Sequence, residues 1–137
     1  MNEHFIAVKP FEHQIECFCP DGDHSDEIMI KYGDIIEVSK ERKYVIDHGW
    51  YGLVIINNYY SFYMSLDSLN QYFKKGTILS RLDIELKVNY LNFRIDQSLD
   101  EGDEVSFNYH TKFLKRLTDL KVELDNYIHY IEENQLI

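Results

Sequence analysis

Apolar residues in the first half of the chain come in short runs that turn signals separate. Four runs have the composition of β-strands, at 15–19, 34–39, 50–57 and 59–64. The turn signals between them are Pro20-Asp21-Gly22-Asp23 and Asn57-Asn58, and the second suits the positive φ angles of a tight hairpin. Strands this short bury their faces only in a closed or nearly closed sheet, so the pattern predicts a small β-barrel.

The spacing of apolar residues changes to a helical period after residue 64. Ser65 is placed to cap a short helix over 66–73, which ends at Lys74-Lys75-Gly76. From about residue 80 to residue 100, apolar side chains recur at intervals of four, three, four and four: Ile84, Val88, Leu91, Ile95 and Leu99. This spacing predicts a helix with one apolar face. Leu82, Leu86 and Phe93 fall on its opposite face, so the helix needs two neighbours.

A short turn separates this helix from a second one. Gly102 can adopt the left-handed conformation that ends a helix, and Asp103 can cap the next, which we expect to run to about residue 133. These two helices are predicted to form an antiparallel hairpin, in which the longer helix extends beyond the shorter one by on the order of 15 Å. Because Leu124, Tyr127 and Ile128 make the overhang apolar, we expect it to pack on the first domain or to form a homodimer through the C-terminal helix.

These elements together predict an α+β protein with two domains. The first, 1–76, is a small β-barrel with a closing helix, and the second, 77–137, is the helical hairpin.

Two segments of the first domain resemble a Src-homology-3-like barrel over roughly 15–70. They are the acidic-hydrophobic stretch 25–38, with Gly33-Asp34 before its last strand, and Gly49-Trp50-Tyr51-Gly52-Leu53. The first strand, Ile15-Glu16-Cys17-Phe18-Cys19, lacks the tyrosine-rich pattern of the peptide-binding members, so the resemblance implies the barrel and not a proline-rich ligand. By this resemblance Trp50 and Tyr51 are candidate partner-binding residues. A core or interdomain position for Trp50 is the alternative.

The segment 93–114 resembles the IDEAL domain, a short helical module of Bacillus-type bacteria. Ile95-Asp96, Leu99-Asp100, Gly102-Asp103 and Phe107 match its pattern, and Ser98 stands where alanine is usual. The resemblance implies a regulatory or adaptor protein, since some members are connected with Clp-type proteolysis, and it supplies no catalytic residue. Asp96, Asp100, Glu101 and Phe107 are the candidate partner-binding residues of this segment.

Charge narrows the class of partner. The chain has 24 acidic and 14 basic residues, a net charge of -10, and both predicted domains are acidic. Non-specific binding to nucleic acid or to anionic membranes needs a basic surface, so we expect neither, and a basic protein is the natural partner. The chain has no apolar run of transmembrane length and no signal-peptide pattern at Met1, so the predicted location is cytoplasmic.

Few residues have the spacing of a reactive centre. His13, Cys17, Cys19 and His24 are metal-ligand types, but their spacing is unusual for structural zinc, so we predict no metal or cofactor and keep zinc as an alternative. The acidic residues near Asp103 are explained by helix capping and solvation, or by contact with a basic partner. Because no nucleophile or phosphate-loop motif is present, we predict a non-enzymatic adaptor. A structural homodimer and a small metal-dependent enzyme are the alternatives.

Overall fold

The computed structural model describes residues 2–16 and 26–135. It confirms the α+β class. The elements in chain order are β1 (Glu3–Ala7), β2 (Phe11–Ile15), β3 (Asp26–Ile30), β4 (Ile35–Val45), β5 (Gly49–Ile56), β6 (Tyr60–Ser65), α1 (Leu66–Lys74), β7 (Ile78–Ser80), α2 (Arg81–Glu101) and α3 (Glu104–Gln135). The chain divides into two compact units, Met1–Leu79 and Ser80–Ile137. The strand predicted at 15–19 lies outside the described residues from position 17 onward, as does the turn at 20–23.

The strands of the first unit form two sheets, and the predicted closed barrel is wrong. Five strands form one sheet in the order β6-β5-β4-β1-β7, while β2 and β3 form a separate ribbon, from Phe11 opposite Ile30 to Ile15 opposite Asp26. Within the part of the chain that the structure describes, β2 and β3 pair only with each other. The five-stranded sheet therefore stays open.

The core of the first unit shows how an open sheet can still bury its inner face. Its buried residues come from the large sheet and from β3: Phe5, Ala7, Ile30, Ile36, Val38, Val54, Ile56, Phe62, Met64 and Ile78. Side chains of the ribbon, among them Phe11 and Ile15, and Leu69 and Tyr72 of α1 pack against this cluster. The ribbon and α1 thus cover apolar surface that a barrel would bury by closing on itself.

Local signals set the ends of α1. The Ser65 hydroxyl accepts a hydrogen bond from the Ser68 N–H at 3.5 Å. The helix ends at Lys74, and Lys75 is its C-cap, followed by Gly76 with φ of 74°. The predicted helix over 66–73 is therefore confirmed to within one residue. β5 and β6 also match their predicted strands closely.

The second unit consists of α2 and α3. Ser80 and Asp83 cap α2 reciprocally, with the Asp83 N–H bonded to the Ser80 hydroxyl at 3.2 Å. The side chains buried in this unit include Ile84, Leu91, Leu117, Leu120 and Leu124. An ion pair of 3.0 Å joins Arg81, at the start of α2, to Asp125, late in α3. The two helices therefore run past each other with an apolar seam between them.

The second apolar face of α2 is exposed. Leu82, Leu86, Tyr90 and Phe93 each have more than half of their surface accessible. They follow one another at intervals of four, four and three, so they form one stripe, which we call the outer stripe of α2. No helix among the described residues is long and apolar enough to cross a lipid bilayer.

Candidate functional site

A small pocket lies at the turn between α2 and α3. Its volume is about 220 Å³. It is lined by Ser98, Leu99, Gly102, Asp103, Glu104 and Phe107. Leu99 is 60% exposed and Phe107 is half-buried, so both offer apolar surface to solvent. We call this feature the turn pocket.

The turn pocket exists because the chain reverses within two residues. Gly102 has φ of 67°, a left-handed conformation that glycine adopts without steric cost. The Gly102 N–H bonds to the Leu99 carbonyl at 3.3 Å, and the Asp103 N–H to the Ser98 carbonyl at 2.9 Å, which closes the end of α2. This tight reversal brings Leu99 and Phe107 to the same pocket.

Asp103 directly precedes α3 and carries a negative charge. Its carboxylate accepts a hydrogen bond from the Ser106 N–H at 3.1 Å, as a helix N-cap does. Hydrogen bonds from the Ser106 backbone and side chain lower the pKa of the Asp103 carboxyl below its ordinary value. The rim of the turn pocket is therefore charged at neutral pH.

Further carboxylates lie close in sequence to the pocket residues, and together with Asp103 we call them the acidic rim. Asp96, Asp100, Glu101 and Glu104 are all exposed. None of these four carboxylates takes part in the ion pairs found among residues 2–16 and 26–135. Of the residues predicted as partner-binding in the second unit, Phe107 lines the pocket, whereas Asp96, Asp100 and Glu101 are exposed but do not line it.

Ser98 is a pocket residue that the sequence did not single out as functional. Its side chain is buried and donates a hydrogen bond to the Arg94 carbonyl at 2.8 Å. A small side chain in the last turns of α2 leaves room beside Phe107. The signal available in the sequence was the small residue within the IDEAL-like pattern.

The two aromatic candidates of the first unit have different environments. Trp50 is 55% exposed and lies edge-to-face with Tyr44, their ring centroids 5.2 Å apart. Tyr51 is buried, and its hydroxyl donates a hydrogen bond of 2.6 Å to the Glu16 carboxylate. Burial, together with the Glu16 carboxylate, raises the pKa of Tyr51 to about 12. Trp50 can therefore meet a partner directly, whereas Tyr51 is held inside the unit.

His13 is the member of the suggested metal group that the structure describes. It is buried, shares a 2.8 Å hydrogen bond through Nδ1 with the Tyr72 hydroxyl, and stacks on Phe62. Burial lowers its pKa, while the Glu16 carboxylate acts in the opposite direction. Cys17, Cys19 and His24 lie outside the described residues. Within residues 2–16 and 26–135 no three potential metal ligands lie together.

Comparison with known proteins adds no relative, since the chain matches no protein-family model, no curated protein and no solved structure. The geometry of its surfaces is therefore the basis for a functional proposal.

Proposed function

We propose that this protein is a non-enzymatic adaptor or regulator that binds a basic segment of a partner protein at the turn pocket. The observation that carries the proposal is the combination of an apolar pocket with an acidic rim. Leu99 and Phe107 supply the apolar contact, and Asp103 and Glu104 supply charge at the edge of the same pocket.

The size of the pocket favours a side chain over a metabolite. Small-molecule sites commonly measure about 300–1,000 Å³, whereas the turn pocket measures about 220 Å³. An aliphatic or aromatic side chain of a partner is a suitable occupant. Apolar anchors of this kind, seated in a pocket and surrounded by polar contacts, provide most of the energy of many protein interfaces.

The acidic rim defines the chemistry of the rest of the segment. Asp96, Asp100 and Glu101 lie close in sequence to the pocket residues and are exposed. Complementary charge mainly speeds encounter and excludes wrong partners. A partner segment with lysine or arginine beside one apolar residue would satisfy both parts of the site.

The two family resemblances support the same reading. The IDEAL-like pattern covers the residues of the turn pocket, and it implies a helical hairpin in a cytoplasmic regulator. The Src-homology-3-like pattern implies a second interaction module in the first unit. Since some proteins with an IDEAL domain are connected with Clp-type proteolysis, components of that system are the first partners to test.

A photo-crosslinking experiment tests the site. A benzophenone amino acid replaces Leu99, which is 60% exposed, and in a matched control it replaces Leu86, which is 58% exposed on the same helix. We expect the label at position 99 to capture a defined partner in cells and the label at position 86 to leave that partner uncaptured. Capture of the same proteins from both positions, or of none from position 99, would contradict the proposal.

Charge reversal tests the acidic rim separately. Asp100→Lys with Glu101→Lys adds positive charge at the C-terminal end of α2, where the helix dipole favours it, so the fold should be retained. Asp119→Lys with Glu123→Lys makes the same change of charge at exposed positions of α3. Only the first pair of substitutions is expected to remove the crosslink at position 99.

A homodimer is the second candidate function, and one observation favours it. The outer stripe of α2 exposes Leu82, Leu86, Tyr90 and Phe93, a row of apolar side chains that a second copy could cover. Tyr130 near the end of α3 is also exposed. Light scattering after size exclusion decides this directly, because a monomer at high micromolar concentration removes the dimer.

A further inference from the structure

We propose that the far end of the β4–β5 pair is a second binding surface, and that it takes an acidic, extended segment of a partner protein. The surface consists of Lys40, Arg42, Lys43, Tyr44 and Trp50, and we call it the basic aromatic surface. It belongs to the first unit and does not depend on the function proposed for the turn pocket.

The aromatic part of the surface follows from the strand register. Tyr44 lies directly opposite Trp50, and Arg42 lies opposite Gly52, so these residues share one face of the sheet. The same face of β5 carries Val54 further along, which is fully buried. Tyr44 and Trp50 thus continue the core face beyond the end of the core, and more than half of each ring is exposed.

The charges on this surface have a sign opposite to that of the chain. The four-residue segment 40–43 contains three cations, Lys40, Arg42 and Lys43, although the net charge of the whole chain is -10. All three are exposed, and none forms an ion pair with any residue that the structure describes. The nearby carboxylate of Glu41 already accepts a hydrogen bond from the Tyr63 hydroxyl at 3.2 Å. An acidic ligand is therefore the complement.

Two of the three cations, Arg42 and Lys43, are held in place by neighbouring groups. Lys43 lies over the Tyr63 ring, with its Nζ 5.4 Å from the ring centroid. Arg42 donates to the carbonyls of Ser39 and Glu41, which fixes its guanidinium beside Gly52. Ordered cations lose less side-chain entropy on binding than free ones do.

The backbone of β4 gives the ligand an extended shape. β1 pairs with β4 only from Ile35 to Val38, while β5 pairs with it as far as Val45. From Arg42 to Val45, one edge of β4 has no strand beside it within residues 2–16 and 26–135. An open edge accepts an extended peptide as an added strand. Lys43 lies opposite Tyr51, on the other face of the sheet from Tyr44 and Trp50. Because the side chains of an added strand alternate between the two faces, a carboxylate on one face would reach Lys43 and an apolar side chain on the other face would lie on Tyr44 and Trp50.

A protein segment suits this surface better than a nucleic acid does. Single-stranded nucleic acid also stacks on aromatic rings beside cations, but it needs a positively charged groove along its backbone. Here the cations are confined to a few residues of an acidic chain. Nucleic acid is therefore a competing occupant that the experiment must separate.

In the test, peptides from a random display library are selected for binding to the intact protein, and fluorescence of Trp50 is the second measurement. Because Trp50 is the only tryptophan, the emission of the protein reports on this surface directly. Three comparison variants are prepared: Lys40→Glu with Lys43→Glu, Tyr44→Ser, and a control that reverses exposed Lys87 and Lys112 to Glu. Circular dichroism checks that each variant is folded.

We expect that selection of displayed peptides on the protein of natural sequence enriches peptides that combine Asp or Glu with an apolar residue. Binding of these peptides should shift Trp50 emission. Reversal of Lys40 and Lys43 should weaken these peptides by about tenfold or more, since each exposed charge pair adds a modest energy and the reversed charges repel. Tyr44→Ser should also weaken them, and the control should bind them unchanged.

Three outcomes would overturn the proposal. The first is that no peptide able to shift Trp50 emission is enriched. The second is that the peptides that shift it are basic or uncharged, or bind equally well after reversal of Lys40 and Lys43. The third is that oligothymidylate shifts the emission of Trp50 at lower concentration than the enriched peptides do, at the same salt concentration.

Discussion

The hydrogen bond between His13 and Tyr72 gives a sharp test of how the ribbon is attached to α1. The His13 Nδ1 atom lies 2.8 Å from the Tyr72 hydroxyl, and the Tyr72 ring lies 4.5 Å from that of Phe11. Tyr72→Phe removes the hydroxyl and keeps the ring. His13 is buried, so its ring nitrogen loses a partner where little water can replace it.

The expected cost comes from two contributions. A net hydrogen bond adds about 0.5–1.5 kcal/mol, and a buried polar atom left without a partner costs about 1–3 kcal/mol. Because Tyr72 is only half-buried, water can compensate part of the loss, and we expect the free energy of unfolding to fall by about 1–2 kcal/mol. For a unit of this size each kcal/mol lowers the melting temperature by about 4–8 °C.

Urea unfolding followed by Trp50 emission and by circular dichroism measures this change. Tyr59→Phe is the matched control, because Tyr59 is 93% exposed and its loss should leave stability nearly unchanged. If Tyr72→Phe is no more costly than Tyr59→Phe, the His13–Tyr72 bond does not stabilise the first unit and this account of the ribbon is refuted.

Three further predictions concern titration and backbone conformation. Burial lowers the pKa of His13 from 6.5 in the folded chain, so the unfolded chain binds the proton more readily. The free energy of unfolding should therefore fall as the pH drops below 6.5, and His13→Gln should reduce this dependence in urea unfolding measured at several pH values. Burial and Glu16 raise the pKa of Tyr51 from 10.0 to about 12, so the contribution of the Tyr51 phenol to stability is present below pH 10 and lost between pH 10 and 12. In a titration followed by absorbance at high pH, the phenol that titrates last should be missing in Tyr51→Phe. In Glu16→Gln the pKa of that phenol should be lower. Gly102→Ala should lower the free energy of unfolding, measured by thermal unfolding, by about 1 kcal/mol, because φ is positive at this position. A Cβ would meet no atom within 4 Å, so no steric clash adds to this loss. Gly102→Asn should lower the free energy of unfolding less, because asparagine tolerates a positive φ better than alanine does.

The helices were predictable because their ends depend on neighbouring residues. Ser80 is the N-cap of α2 and Gly102 is its C-cap, and both signals can be read from a few positions of the sequence. β5 and β6 were also predictable from a local signal, because Asn57-Asn58 marks the hairpin turn between them. Both asparagines adopt positive φ, as expected for such a turn.

The sheet arrangement could not be obtained in this way. β1, β3 and β7 have three to five residues each, and their pairing depends on partners far away in the chain. The contact between His13 and Tyr72 joins positions 59 residues apart. Whether a set of short strands closes into a barrel or stays open depends on such contacts, which a local pattern does not contain.

The candidate site was predictable in part. The acids around Asp100 and the aromatic ring of Phe107 were singled out from the turn, but the local pattern did not show that Ser98, Leu99 and Phe107 line one pocket. Trp50 and Tyr51 were grouped as neighbours, although adjacent residues of a strand point to opposite faces. Only the core shows which of the two is exposed.

The most direct test of the turn pocket measures the affinity of the captured partner for purified protein. Isothermal titration compares the natural sequence, Asp100→Lys with Glu101→Lys, and the control Asp119→Lys with Glu123→Lys, at two salt concentrations. We predict that reversal at the turn weakens binding by about tenfold or more and removes most of its salt dependence, while the control binds like the natural sequence. Equal affinity of all three proteins would contradict the proposal that the acidic rim recognises the partner.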